Sequence, residues 1–336
     1  MKILVVGAGF YGSVLARELS DAKHDVHVID KRSHIGGNAY DYVNSKGIRV
    51  HQYGPHILHT NNAKVFAYLS RFTNWVPYKH KVKAVLQDGT FVTLPVNKET
   101  KDIVGEDNIV DIFFKPYTKK MWDKDIYELD PSIINRVPIR DDLNEYYFPN
   151  DEYQFMPMSG YTKLFENLLD GIKVSLNTPF DKLMENDYDF IFNSMPIDEY
   201  FDYRYGKLPY RSIKFHTFDI PKKNILPTSV VNFTDDSKFT RVTEWKNFPN
   251  NYNYDCNFTT LTYEEPCDFE DNNFERYYPV KDIDQSNRKL YEKYKKLIPN
   301  NINFIGRCGL YVYIDMDQAV SSALALSKKF INKTKN

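Results

Sequence analysis

Lys2-Ile3-Leu4-Val5-Val6-Gly7-Ala8-Gly9-Phe10-Tyr11-Gly12-Ser13-Val14-Leu15-Ala16-Arg17-Glu18-Leu19 opens the chain, and Asp25-Val26-His27-Val28-Ile29-Asp30 follows a few residues later. The first five residues form an apolar β run, the glycine-spaced segment is a turn, and the stretch from Ser13 to Leu19 has helical periodicity. A second apolar run ends on an acid. Together these predict a βαβ opening of near-minimal length. Each glycine of the G-x-G-x-x-G turn has its own role. Gly7 makes the tight bend, Gly9 admits a pyrophosphate to the backbone, and Gly12 lets helix pack on strand. Asp30 is placed to accept hydrogen bonds from an adenosine ribose. Dinucleotide binding is therefore expected, with Phe10 and Tyr11 inside the turn among the cofactor contacts.

Around this opening lies an ordinary globular composition. A chain of 336 residues with 42% apolar side chains can bury a full core, as one large or two to three small domains. Forty-four basic residues against forty-five acidic leave a formal charge of -1, so no nucleic acid or membrane surface is expected as partner, and any anion must be held locally. No apolar run approaches the ~20 residues that span a bilayer, and Met1 leads straight into a strand, so membrane insertion is not expected and the cytoplasm is. Cys256, Cys267 and Cys308 are too scattered for a metal cage or disulfide framework. Most of the 26 tyrosines and 23 phenylalanines are read as core filling, a minority as pocket lining.

Further along, alternation on either side of Asp88-Gly89 predicts an antiparallel hairpin over 81–96, and 97 to about 135 has a helical pattern. Leu164, Phe165, Leu168 and Leu169 mark an amphipathic helix stopping at Gly171, and short alternating runs between about 200 and 265 suggest an antiparallel sheet. Asn303-Phe304-Ile305-Gly306 reads as a strand, and 317–330 as a closing helix. The expected class is α/β, with an FAD-binding Rossmann-like domain (1–75, 160–200 and 280–336), a reduced helical domain (97–135) and an antiparallel β-sheet domain (76–96, 136–159 and 201–279).

FAD rather than NAD is expected from Lys31-Arg32-Ser33-His34-Ile35-Gly36-Gly37-Asn38. This segment resembles amine oxidase-like flavoproteins, in which a Gly-Gly turn after the ribose acid brings backbone amides near the phosphates. The resemblance makes Lys31, Arg32, Gly36, Gly37 and Asn38 cofactor contacts, and gives Arg307, Asp315 and Met316 a second contact near the ribityl-phosphate. Tyr53-Gly54-Pro55-His56-Ile57-Leu58-His59-Thr60 comes next in the chain and has no metal-ligand spacing, so no metal is expected.

With that loop, the segments Tyr117-Thr118-Lys119-Lys120-Met121-Trp122, Arg136-Val137-Pro138-Ile139-Arg140, Gly160-Tyr161-Thr162-Lys163-Leu164, Asn232-Phe233-Thr234-Asp235, Thr240-Arg241, Tyr277-Tyr278-Pro279-Val280 and Tyr311-Val312-Tyr313-Ile314-Asp315-Met316 make the whole chain resemble the UDP-galactopyranose mutase family. The resemblance implies an isomerase that interconverts UDP-galactopyranose and UDP-galactofuranose without net redox change. Reduced FAD serves as covalent catalyst, its N5 attacking the anomeric carbon, and NAD(P)H or another reductant supplies the electrons. Enclosure keeps the departed UDP beside the reacting carbon.

The family's paired arginines fall on Arg140 and Arg241, suited to phosphate by charge and paired donors. Tyr117 and Trp122 correspond to residues flanking uridine and sugar, Asn232 to a nucleotide contact, and Tyr153, Tyr278 and Tyr311 to hydroxyls facing the diphosphate. Phe113, Phe114 and His80 join the substrate group, Tyr53 and His56 the cofactor group, and His59 falls near the flavin's reactive edge as a candidate for proton transfer.

Two departures stand out. Ile314 occupies a position where the family usually carries tyrosine, which removes a hydroxyl donor, and Tyr147 or Tyr313 is a candidate to replace it. The helical region after Leu94 is short by several tens of residues, so the family's dimer, a possible homodimer here, cannot be assumed. A mobile loop is expected over 122–131. An FAD amine oxidase, a mutase for another UDP-sugar and a non-catalytic flavoprotein sensor stay open as alternatives.

Overall fold

A computed structural model describes residues 1–129, 138–251 and 256–334. The apolar run Lys2–Val6 (β1) lies at the centre of a five-stranded parallel sheet, between Asp25–Ile29 (β2) and Phe190–Asn193. Lys173–Ser175 and Ile302–Phe304 complete its edges. Strands buried on both faces read as continuous apolar runs, and Ile3, Leu4, Val5 and Val28 are fully buried. Phe10–Asp21 (α1) returns the chain between β1 and β2. It packs on the closing helix Met316–Thr334 (α2) through the apolar stripe that includes Val14, Ala16 and Leu19.

The second sheet has seven strands, in the order Tyr278–Pro279, Tyr210–Ile220, Thr259–Asp268, Arg241–Glu244, Val230–Phe233, Val82–Val85 and Phe91–Leu94. The expectation of a purely antiparallel sheet fails at one joint. Val82–Val85 runs parallel to Val230–Phe233, because the 81–96 hairpin is inserted by a long crossover that sequence alternation does not register. Tyr153–Pro157, grouped with this sheet from sequence, pairs instead with Leu58–Thr60 and Trp75–Pro77 in a separate three-stranded sheet. Residues 98–129 are helical in short pieces, among them Lys98–Val104, a π turn over Val110–Phe114, and Lys115–Trp122. The end of that region lies outside the described residues, as do positions 130 and 131 of the loop expected over 122–131; the rest of that loop includes the turn Ile126–Glu128, capped by Asp125. Among the described residues no helix is long and apolar enough to cross a membrane.

Long-range polar ties hold the layers together. Asp41, on a short two-stranded ribbon, accepts the backbone N–H groups of Tyr161 and Thr162 at 2.8 Å each, so a carboxylate remote in sequence satisfies the N-terminus of the helix Gly160–Leu168. Beside it a column of rings fills the interior: His51 against Trp245 at 5.0 Å, then Phe248, His80 and Phe148.

Burial first, with neighbouring positive charge second for His56 and His80, holds His51 near about 4, and His56 and His80 near about 3. In the unfolded chain these rings take up protons near pH 6.5, so between that pH and their folded values the unfolded state binds more protons. Their neutral burial therefore supports the fold above about pH 6.5, and that support is lost as pH falls, at about 1.4 kcal/mol per ring per pH unit. Urea unfolding at pH 7.5 and 5.5 should show a clearly lower midpoint at 5.5. An unchanged midpoint would show that the folded interior accepts these protons.

Candidate active site

At the mouth of the parallel sheet two backbone segments touch. A Cβ on Gly12 would lie 2.0 Å from the Gly7 carbonyl oxygen, and a Cβ on Gly37, at φ +55°, would lie 2.9 Å from Gly9 Cα. The Gly36 N–H donates to the Ala8 carbonyl at 2.9 Å. Asp30 binds both segments, accepting the Ala8 N–H on one oxygen and the Arg32 N–H on the other, each at 2.9 Å. Such a side-chain-free cradle at the start of a helix fits a dinucleotide pyrophosphate. Phe10 and Tyr11 need correction as cofactor-binding side chains. The Phe10 ring lies in the core 4.7 Å from Phe165, and Tyr11 packs on the same core, which leaves their backbone for a cofactor.

The basic pair after Asp30 is matched from far away. Arg32 pairs with Glu275, donates to Asn38 Oδ1 at 3.0 Å and lies 4.3 Å over the Tyr53 ring, while Lys31 sits 3.7 Å from Glu275. The Tyr53 hydroxyl is 2.8 Å from His34 Nε2. His56 is half-buried against the same loop, its Nδ1 2.9 Å from the Gly54 carbonyl. At the far end Arg307 donates to the carbonyls of Tyr277 and Ile314, both at 2.9 Å, and covers the rings of Tyr313 and Tyr278 at 4.5 and 5.6 Å. Tyr313 donates to Asp315 at 2.9 Å, and Met316 begins α2.

The seven-stranded sheet contributes a row set by register: Ala84, Asn232, Arg241, Glu264 and Phe215 are successive cross-strand neighbours. Arg241 Nε lies 2.8 Å from Glu264 Oε1, with the carboxylate buried and a third of the arginine side chain exposed. Burial pulls the guanidinium's pKa down, but Glu264, Tyr278 and Tyr117 outweigh it and raise it above the ordinary arginine value. Arg241 is a fixed cation. Beside it the Asn232 Oδ1 is buried without a hydrogen-bond partner among the described residues. Tyr117, on Lys115–Trp122, is 41% exposed; desolvation around its hydroxyl raises the pKa, and the nearby Arg241 charge opposes the rise. Trp122 meets Tyr278 edge-on at 6.4 Å. Phe113 and Phe114 occupy the π turn before this helix and pack on the core.

On the other side His59 stacks on Phe148 at 3.6 Å with an interplanar angle of 8°. Its Nδ1 is 2.8 Å from Asp151 Oδ2, and it lines a cavity of about 750 Å³ with Asn61, Asp315 and Asp317.

Several expected contacts fall elsewhere. Tyr311 is buried and its hydroxyl donates to the carbonyls of Pro209 and Val280 at 2.9 and 3.0 Å, so it cannot face a diphosphate. The ring stacked on Tyr278, 5.8 Å away and nearly parallel, is Tyr313. Ile314 packs on the core, so no donor is missing there. Tyr153 stacks on Phe66 at 4.7 Å in the three-stranded sheet, while the Tyr147 ring lies 5.9 Å from His80. His80 is a buried layer of the ring column rather than a cleft residue. Arg140 donates to the carbonyls of Tyr146 and Asn144 at 3.1 and 2.5 Å, with Asp142 at 3.8 Å, so these bonds close its own loop. Arg136 and Val137 lie outside the described residues. Tyr147 and Tyr313 entered the sequence reading only as candidate replacements for the hydroxyl absent at Ile314. Alternate side chains on an irregular segment have no period that tells which points inward.

Comparison with known proteins gives a consistent result. Residues 112–313 match the family described as UDP-galactopyranose mutase, and residues 5–72 an NAD(P)-binding Rossmann-like domain. The chain is 33% identical to a probable UDP-galactopyranose mutase of Klebsiella pneumoniae, covering 100% of this chain and 96% of that one. It is 32% identical to a dTDP-fucopyranose mutase of Escherichia coli, covering 99% of each. The crystal structure of a reduced UDP-galactopyranose mutase superposes with a TM-score of 0.74 at 17% identity, over 100% of this chain and 94% of that one, which is a likeness of fold.

The two tyrosines separate cleanly. Tyr311→Phe should lower the unfolding free energy by about 1–3 kcal/mol and leave UDP affinity unchanged by calorimetry. Tyr313→Phe should do the reverse, keeping the unfolding midpoint and weakening UDP several-fold.

Proposed function

The chain belongs to the UDP-galactopyranose mutase family, and from that premise we propose that it interconverts UDP-galactopyranose and UDP-galactofuranose, with FAD active in its reduced state. The observation that carries this is the Arg241 row. A guanidinium anchored through Nε by Glu264 keeps its outer nitrogens for a diphosphate, beside an unpartnered Asn232 and aromatic walls from Tyr117, Trp122 and Tyr278.

Ring contraction makes O4 the ring oxygen and returns O5 as a hydroxyl, so one proton leaves O4, one arrives at O5, and no electron is gained or lost. Reduced flavin, when bound, supplies a nucleophile for the anomeric carbon. The cradle of Gly7, Gly9, Gly12, Gly36 and Gly37 holds its pyrophosphate end, with Asp30 at the ribose. Arg241 keeps the leaving nucleotide diphosphate in place so that its return is effectively intramolecular. His59, on the cavity it shares with Asp315, takes the proton from one sugar oxygen and gives it to the other. The aromatic sides bind the flat base by stacking.

Arg140 joins Arg241 on the phosphates when its loop carbonyls release it, and NAD(P)H or another reductant primes the flavin. The cofactor domain comprises 1–75, 160–200 and 280–336. The substrate cleft is assigned between it, the reduced domain at 97–135 and the segments 76–96, 136–159 and 201–279. Cytoplasmic localisation and a homodimer belong to the same proposal.

A second nucleotide sugar is a specific rival. The dTDP-fucopyranose mutase matches at 32% identity, level with the 33% of the UDP-galactopyranose relative. An amine oxidase fits less well, since the fixed Arg241 cation repels a protonated amine.

Anaerobic incubation of dithionite-reduced and oxidised protein with UDP-galactofuranose, and separately with dTDP-fucofuranose, tests both. Conversion of the UDP sugar by the reduced sample alone is expected. Preferential turnover of the dTDP sugar would transfer the assignment, and no turnover of either with reducible flavin bound would overturn it. Arg241→Lys keeps the charge but loses the paired donors, and kcat/KM should fall by about 100-fold, close to 2.7 kcal/mol.

A further inference from the structure

His59 is held by three groups from outside its own strand. Phe148 lies flat on the ring at 3.6 Å, Asp151 Oδ2 stands 2.8 Å from Nδ1, and the other Asp151 oxygen is fixed at 2.9 Å by the Asn61 side-chain amide. The Asn61 side-chain oxygen in turn accepts the Glu152 N–H at 2.8 Å. The Gln154 amide donates to the carbonyls of Phe148 and Asp151 at 2.8 Å each. The turn from Phe148 to Asp151 is thereby locked against Leu58–Thr60, whose residues Leu58, His59 and Thr60 pair with Phe155, Gln154 and Tyr153. More bonds define Asp151 than its position on a surface turn requires.

We propose that Asp151 is a positioning residue that fixes the tautomer and orientation of His59, so that Nε2 carries the lone pair and faces the cavity. A carboxylate only accepts, so an imidazole nitrogen bonded to it must carry the hydrogen, and in the neutral ring the opposite nitrogen is then bare. The flat Phe148 ring removes rotation about the bond to the imidazole, and the Asn61 amide prevents the carboxylate from turning away. Once Nε2 accepts a proton, the same carboxylate stabilises the imidazolium without itself gaining the proton. The proton taken from one sugar oxygen is returned to the other, and His59 ends as it began. Other charged and titratable groups facing this ring are Asp315, Asp317 and Lys64 around the cavity, and His80 beyond Phe148. Asp317 is occupied by the Thr60 hydroxyl at 2.8 Å and Asp315 by Tyr313 at 2.9 Å.

The role of Nε2 rests on the mutase reading, but the tie itself does not, and two measurements keep them apart. In ¹⁵N-histidine-labelled holoprotein, with the His59 signal identified by its loss in His59→Gln, long-range ¹⁵N–¹H spectra should show a protonated Nδ1 and a bare Nε2. Asp151→Ala should give a mixture of tautomers. A wild-type ring already mixed, or unchanged by Asp151→Ala, overturns the proposal whether or not the protein turns over any sugar.

In the anaerobic assay Asp151→Ala should lower kcat by about 10- to 100-fold with the KM for UDP-galactofuranose within twofold, and Asp151→Glu should recover part of it. His59→Gln/Asp151→Ala should be no slower than His59→Gln alone. Multiplicative losses in the double variant would show that Asp151 acts independently of His59, and would sink the positioning role.

Discussion

A guanidinium fixed on a β-sheet by a buried carboxylate sets what the rest of the molecule has to do. Glu264 is almost fully buried, and a buried carboxylate without a partner is unstable. Arg241 neutralises it through Nε at 2.8 Å, which leaves the outer face of the guanidinium unspent. That geometry is possible because the two residues are direct cross-strand neighbours, a spacing only a paired sheet supplies. The helix Lys115–Trp122 and the strand Tyr278–Pro279 bring Trp122 edge-on to Tyr278, and the close-approach glycines lie at the parallel sheet.

Charge elsewhere in the cofactor region is matched internally. Glu275 takes Lys31 and Arg32, and carbonyl oxygens of Tyr277 and Ile314 take Arg307. Arg140 is likewise satisfied by its own loop. Both Arg140 and Arg241 pair with a carboxylate through Nε, but Arg140 spends its outer nitrogens on carbonyls of its own loop. The buried His51 and His80 of the ring column, both with lowered pKa values, add no competing charge near neutral pH.

Much of this was legible in the sequence because local rules carried it. The G-x-G-x-x-G turn requires glycine for contacts as close as 2.0 Å, so its residues announce its geometry. Arg241, Asn232, Tyr117, Tyr278 and Trp122 were named through the family resemblance; in the structure Asn232 and Arg241 are cross-strand neighbours and Trp122 meets Tyr278 edge-on. Tyr311 and Tyr153 were misplaced, and Tyr313 and Tyr147 were named only as substitutes for the hydroxyl absent at Ile314, because a step of one or two residues on irregular backbone reverses a side chain without altering composition. Asp151 was not found at all. Its importance comes from meeting His59 across an antiparallel pairing.

By itself, then, the sequence determined the βαβ opening, the α/β class, the family and the residue types of the site, since periodicity, glycine spacing and motif order are properties of neighbouring residues. Only the tertiary structure decided the parallel joint between Val82–Val85 and Val230–Phe233, the pairing of Arg32 with Glu275, and that the Tyr311 hydroxyl is spent on carbonyls and that of Tyr313 on Asp315. Those depend on register, crossover and burial, which come into being when segments distant in the chain pack against each other.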